Sequence, residues 1–263
     1  MIQIKSPSNP KIKHLVRLRK SSRYRHEVGQ FIVEGDREME ALFSFGRELK
    51  EIYFTNDALK NSPLSHVLPK LSQYISIFEV NEACMKKISY KDQTSNIVGV
   101  ANTWKLRLVE NKASFRLVLV LDEIEKPGNL GAILRTAEAM GVDAIILSES
   151  KVDFFNPNVV RSSMGLFAKK NVFKGSKIEV VEWLKKQNLD IIGTSSAAND
   201  SIHNHIFKSG TAVIMGSESH GLGEFWEDHI NDMLYIPMKG KASSLNLNSA
   251  TACILMEFNR NLG

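Results

Sequence analysis

The strongest constraint on the fold is a pattern that recurs along the second half of the chain: an apolar run, a polar or glycine-rich loop, then a helical stretch. FRLVLVLDEI leads through a loop at 125–129 into PGNLGAILRTAEAMG, AVIMGSES runs into HGLG, and MLYIPM runs into KGKASSLNLNSA and a final helix. DAIILSES and LDIIGTSS add two more runs of strand length. Near-continuous apolar strands alternating with helices imply a parallel sheet covered on both faces, so the fold class is α/β. Open sheets of this kind hold ligands outside the carboxyl ends of their strands, which is where Asn129 and the later glycine-rich loops fall. Three such loops can converge on one site.

The net charge of +5 is unevenly spread. Residues 1–26 hold eight lysines and arginines and no acid, which leaves −3 for the remainder. Ser8, Asn9 and Pro10 make a helix start, with Ile12, Leu15 and Val16 on one face and Lys13, Arg17 and Lys20 along another. Lys11, Lys13, Arg17, Lys20, Arg23 and Arg25 are therefore candidate phosphate contacts of an RNA-binding segment, although charge alone fits a solvated helix face equally well. No run approaches a membrane span and the N-terminus has charge but no apolar signal core, so a soluble, cytoplasmic protein is expected. Cys84 and Cys253 lie far apart in apolar helical surroundings and read as buried thiols.

The organisation reads as three parts: a basic arm or helix over 1–28, a small α/β module over 29–108, and a larger α/β module over 109–263. In the small module FIVEG, EIYFT, ISIFEV and NIVGVANTW read as strands, NEACMKKIS as a helix, and Asp36 and Gly46 as the cap and stop of another. It carries no catalytic constellation, so recognition or oligomerisation is its expected task. The polar stretch 109–114 is the best boundary in the chain.

Gly128 and Gly131 frame Asn129 at a helix start, where backbone N–H groups point outward and no bulky side chain blocks a ligand. The dinucleotide pattern G-x-G-x-x-G is absent. Arg135 follows Asn129 by about one and two-thirds helical turns; its planar fork suits a phosphate if it reaches the loop, and otherwise it is an exposed helix arginine. In GSESHGLG, Ser219 beside His220 does not match the G-x-S-x-G spacing of a hydrolase elbow. His203 and His205 have no accompanying ligand spacing, so no metal site is expected.

PGNLGAILRTAEAMGVDAIIL, VIMGSESHGLG and IPMKGKASSLNLNSATA resemble, in order and interval, the three motifs of the SpoU/TrmH branch of the SPOUT RNA methyltransferases. NPNVVRSSMGLFAKKNVF is similar to the segment that follows the first motif there, and the N-terminal module resembles that family's substrate-binding domain, which is like ribosomal protein L30e. The resemblance implies a homodimeric, S-adenosylmethionine-dependent methyltransferase acting on the ribose 2′-hydroxyl of a structured RNA, ribosomal RNA before tRNA. It also implies a parallel-sheet SPOUT domain tied in a trefoil knot, a feature that periodicity would never suggest. Carried across by position, Met215, Gly216, Ile236, Met238, Ser244 and Leu245 hold the methyl donor, while Asn129, Arg135, Glu218, Ser244 and Asn246 are the polar active-site residues. Arg135 is also an RNA contact, as a phosphate anchor or as a stabiliser of the attacking oxygen. Two positions depart from the family pattern: Lys126 stands where an acid often precedes the proline, and Ser219 where a glycine often follows the glutamate. The rival reading is a non-catalytic RNA-binding protein of the same fold.

Overall fold

The computed structural model describes residues 2–55, 58, 62, 75–90, 96–108, 114–169 and 171–262. These form two compact units, Met1–Lys105 with Asp153–Lys169 and Leu106–Val152 with Lys170–Gly263. The stretch 109–114, expected as the boundary, lies outside the described residues except for Ser114.

The first unit is built on a five-stranded mixed sheet in the order β1-β4-β3-β5-β2, with β1 Ile2–Ile4, β2 Gln30–Glu34, β3 Leu49–Phe54, β4 Ser76–Val80 and β5 Ile97–Asn102. Four of its strands, β2 to β5, are supplied by the four runs that the sequence marks. The basic segment is no loose arm, because helices α1 (Pro10–Lys20) and α2 (Ser22–Val28) pack into this unit. Asn9 caps α1 by accepting from Lys11 N at 2.9 Å, and Pro10 occupies the first turn, where its missing N–H costs nothing. Ile12, Leu15 and Leu18 are fully buried in the core with Tyr53, Phe78, Met85 and Ile88, whereas Val16 is only partly buried. Lys13, Arg17, Lys20 and Arg23 remain exposed on the other face.

Two of the expected phosphate contacts are committed elsewhere. Lys11 pairs with Glu51 at 2.5 Å. Arg25 is 2% exposed, and its Nε donates to Asp153 Oδ2 at 2.7 Å. It is a buried structural ion pair and not a surface cation, because its counter-charge arrives from 128 residues away, beyond any local reading. Helix α3 (Asp36–Ser44) begins after Gly35, so Asp36 is its first residue and not its cap; α4 is Glu82–Ile88.

The second unit is a seven-stranded, wholly parallel sheet in the order β10-β12-β9-β11-β6-β7-β8. Its strands are β6 Leu117–Asp122, β7 Ala144–Ser148, β8 Val172–Gly175, β9 Asp190–Thr194, β10 Asp200–Ser201, β11 Thr211–Met215 and β12 Asp232–Tyr235. Every residue of β6, β7 and β11 is buried, as covered parallel strands require. After β6 the chain builds outward through β7 and β8, then returns to the opposite side of β6. The order therefore reverses beside β6 and β11, at the kind of switch point where open α/β sheets form crevices. Helix α5 (Pro127–Ala139) follows β6, α6 (Pro157–Ser162) belongs to the first unit, α7 (Lys177–Lys186) opens on a capping box of Ser176 and Glu179, and α8 (Leu247–Leu262) closes the chain. Thr136 of α5 donates to Asn248 of α8 at 2.8 Å, tying these helices together.

Cys84 is buried but Cys253 is exposed. The inward stripe of α8 is Thr251, Ile254, Leu255 and Phe258, and position 253 falls outside it. Among the described residues, no helix is long and apolar enough to cross a membrane.

Candidate active site

Because all strands of the second unit are parallel, the ends of β12, β9, β11 and β6 open at one edge of four adjacent strands. A cleft of about 610 Å³ lies there, a size typical of small-ligand sites. Its lining includes every residue expected to hold the methyl donor: Met215 at the end of β11 and Gly216 after it, Ile236 and Met238 after β12, and Ser244 and Leu245 before α8. Asn129, Glu218 and Asn246 line it as well.

One hydrogen-bonded chain joins the three loops. Asn129 Nδ2 donates to Glu218 Oε1 at 2.9 Å, and Asn246 Nδ2 donates to Asn129 Oδ1 at 3.1 Å. Glu218 also accepts from the backbone N–H groups of Glu125 at 2.9 Å and Lys126 at 3.2 Å. Its carboxylate thereby closes the first loop onto the second, and Asn129 passes the connection on to the third. Asn246 Oδ1 in turn accepts from Asn248 N at 3.0 Å, which orients its amide toward Asn129. Ser219, one of the two departures, adds a bond from its hydroxyl to Glu125, so the side chain that replaces a glycine clamps the same pair of loops.

The loop after β11 needs a glycine at 216. A Cβ there would stand 2.1 Å from the carbonyl carbon of Gly221, and Ser217 N and Gly221 N each bond the other residue's carbonyl at 2.9 and 3.0 Å. The backbone doubles back so tightly that no side chain fits, which leaves peptide groups as the wall of the cleft.

Arg135 is the exception among the expected residues. It is exposed, lies outside the lining of the cleft and has no hydrogen-bond or ionic partner among the described residues. Leu130, Gly131, Ile133, Leu134 and Ala137 form the buried face of α5, and position 135 points away from it. Six residues of helix also carry it about 9 Å along the axis from Asn129.

Some contributors were not legible. Thr194, which ends β9, and Ser195, which follows it, line the cleft because β9 sits between β11 and β12, a placement that no local pattern announces. Their only signal is the polar Thr-Ser-Ser at the end of LDIIGTSS. Beneath the first loop, Asp122 is 2% exposed, accepts from Ser148 Oγ at 2.7 Å and lies 3.3 Å from Lys177 Nζ. Lys177 also donates to Glu123 at 2.6 Å. Burial pulls the Lys177 pKa down, but Glu123 and Asp122 together hold it above the ordinary lysine value. The bond from Lys177 holds Glu123 below the usual glutamate range. His203 and His205 approach Glu257 at 3.6 Å and Asp232 at 4.0 Å; among the described residues no three metal-ligating side chains converge.

Comparison with known proteins agrees with this geometry. Residues 116–256 match the SpoU rRNA Methylase family, and residues 9–99 match the MRM3-like substrate binding domain. The 23S rRNA (guanosine(2553)-2′-O)-methyltransferase RlmP of Bacillus subtilis (strain 168) is 27% identical over 97% of this chain and 98% of its own length. A crystal structure of an RNA 2′-O ribose methyltransferase is 31% identical with a TM-score of 0.85, covering 99% of each chain. An AdoMet-bound rRNA methyltransferase from Sinorhizobium meliloti, 27% identical, superposes with a TM-score of 0.87 over 99% of this chain and 98% of its own. With three motifs meeting in one cleft and the profile spanning more than half the sequence, the chain belongs to the SpoU rRNA methylase family.

Proposed function

We propose that the protein is an S-adenosylmethionine-dependent methyltransferase that modifies a ribose 2′-hydroxyl in ribosomal RNA. The observation that carries this reading is the hydrogen-bonded chain from Glu218 through Asn129 to Asn246 along a cleft walled by backbone at Gly216. The residues fit the cofactor: Met215, Ile236 and Leu245 offer apolar contacts, while the crowded backbone at 216 and the Ser244 region offers peptide groups to an adenosyl moiety. When bound, S-adenosylmethionine supplies a methyl on a positively charged sulfur, open to in-line attack.

What remains for the chain is to position the ribose and assist loss of its proton, and positioning can carry much of such a rate. Asn129 and Asn246 present amides whose orientation is fixed by their bonds to each other and to Glu218. Glu218 is fully engaged with two backbone N–H groups and Asn129, so its task is to hold the loops, not to take the proton. Arg135, free on the exposed face of α5, is assigned to an RNA phosphate; a guanidinium stays protonated and stabilises negative charge better than it accepts a proton.

The same reading includes a homodimer and the trefoil knot of SPOUT domains. Two large apolar side chains of the second unit left exposed, Met256 (57%) on α8 and Ile206 (77%), support its burial against a second copy. A cytoplasmic enzyme acting beside its RNA follows from the same assignment. The test is transfer of a labelled methyl group to 23S rRNA, followed by alkaline hydrolysis. One phosphodiester should become resistant, since a 2′-O-methyl group removes the internal nucleophile. Calorimetric binding of S-adenosylmethionine separates this enzyme from a non-catalytic RNA-binding protein, which would give no heat.

A further inference from the structure

We propose that Tyr90, flanked by Arg161 and the basic end of α1, is a stacking platform for an unpaired base of the RNA substrate. The proposal rests on the RNA reading above and names the part of the first unit that recognises the substrate. Tyr90 is 40% exposed, yet its backbone is pinned. Its N–H donates to Glu34 Oε2 at 2.8 Å, which turns that carboxylate inward onto the peptide. The preceding Ser89 caps α4, with its N–H bonded to Met85 O, and its carbonyl accepts from the Arg19 guanidinium. An aromatic ring is thus held out from a fixed backbone, the low-entropy presentation that base stacking needs.

The surroundings suit a nucleotide. The Arg161 guanidinium of α6 lies 5.8 Å from the centroid of the Tyr90 ring and is itself exposed, so it offers a second planar face and a positive charge. Arg19 brings the basic carboxyl end of α1 against Ser89, and Arg19 and Arg161 both line the spot beside Tyr90. Among the described residues lining this spot the acid is Glu34, and it is hydrogen-bonded to Tyr90 N. An aromatic ring beside arginines is the common device for single-stranded RNA, where unstacked bases find a π face and the backbone finds cations. Duplex RNA offers no free base face, so loops and bulges are the features selected.

The test measures binding of a 23S rRNA transcript to the full chain and to Tyr90→Phe, Tyr90→Leu and Arg161→Lys variants. It is joined by photocrosslinking of a 4-thiouridine-substituted transcript mapped by mass spectrometry. Tyr90→Phe should bind like the parent. Tyr90→Leu, which keeps apolar bulk without a π face, should lose about tenfold in affinity while retaining its affinity for S-adenosylmethionine. Arg161→Lys should lose less, since it keeps the charge. The crosslink should map to Tyr90. Undiminished binding by Tyr90→Leu, or crosslinks confined to other residues, overturns the platform but leaves the RNA reading intact. If the parent chain itself binds no rRNA, the RNA reading falls and the platform with it.

Discussion

Asn129 donates to Glu218 and accepts from Asn246, a pairing that an amide can make and a carboxylate cannot. Asn129→Asp keeps the shape but sets two carboxylates against each other. It is expected to cut methyl transfer by about ten- to a hundredfold, the scale of a lost hydrogen bond to a charged group plus repulsion. Single-turnover kinetics with saturating cofactor would measure it, and an unchanged rate would remove Asn129 from the machinery. A second residue carries a pH dependence. His14 sits between Tyr24 Oη at 2.8 Å and Gln30 Oε1 at 3.1 Å. Burial lowers its pKa below 6.5, with the nearby Lys11 and Arg17 charges adding to this against Gln30 and Glu51. The fold favours the neutral ring, so its contribution is present above pH 6.5 and is lost as pH falls through the lowered folded value. Replacing His14 with Gln should flatten the fall in melting temperature over that window, whereas an identical slope would assign the dependence to other groups. The polar residues of the cleft were legible in the sequence, whereas nothing there singled out His14. The contacts were not legible, because the Glu218 and Asn129 bond spans 89 residues and Arg25 meets Asp153 across 128.

At the scale of elements, the legible parts were those whose periodicity is imposed by burial. The all-buried β6, β7 and β11 left clear patterns, and so did Ile12 and Leu15 of α1, whereas the third buried position there is Leu18 and not the expected Val16. The short strands β1, β8 and β10 have too few residues to set a period and take their structure from neighbours. The turn after β6 shows what such neighbours do. Glu123 is a non-glycine residue at φ 51, a conformation that persists only when surrounding bonds hold it. Lys177 Nζ, bonded to Glu123 and 3.3 Å from Asp122, is one such restraint beside the Glu123 N–H bond to Ser148 O at 2.8 Å and Lys151 at 3.4 Å, and two residues further on begin the N–H groups that grip Glu218. Lys177→Met should therefore leave the protein folded but lower kcat about threefold to tenfold, the scale of a ~1 kcal/mol loss of positioning. The KM for RNA should hardly move. An equal loss in both constants would mean that α7 contributes to binding instead.

The whole molecule departs most from its reading as successive modules. The sequence shows a polar boundary at 109–114, and the family profiles stop and start on either side of it. The first unit nevertheless recruits Asp153–Lys169, which the chain delivers between β7 and β8. That segment supplies Phe155 and Phe167, whose rings lie 4.9 and 5.8 Å from Phe31 and 4.8 and 6.0 Å from Trp104, and it supplies Asp153 to Arg25. No composition shift marks it, since its apolar residues would suit either unit. A fragment ending at Lys105 would keep Arg25 and lose its counter-ion, a change that typically costs about 3–5 kcal/mol where the remaining charge stays buried. It would also bare Phe31 and Trp104. That sum is a large share of the stability of a small unit, so the fragment should be insoluble or should bind a hydrophobic dye with weak near-ultraviolet circular dichroism. Joining residues 153–169 to it through a flexible linker should restore a cooperative melt. A fragment 1–105 that melts cooperatively by itself would show that the segment is an accessory and that the module boundary read from the sequence is the physical one.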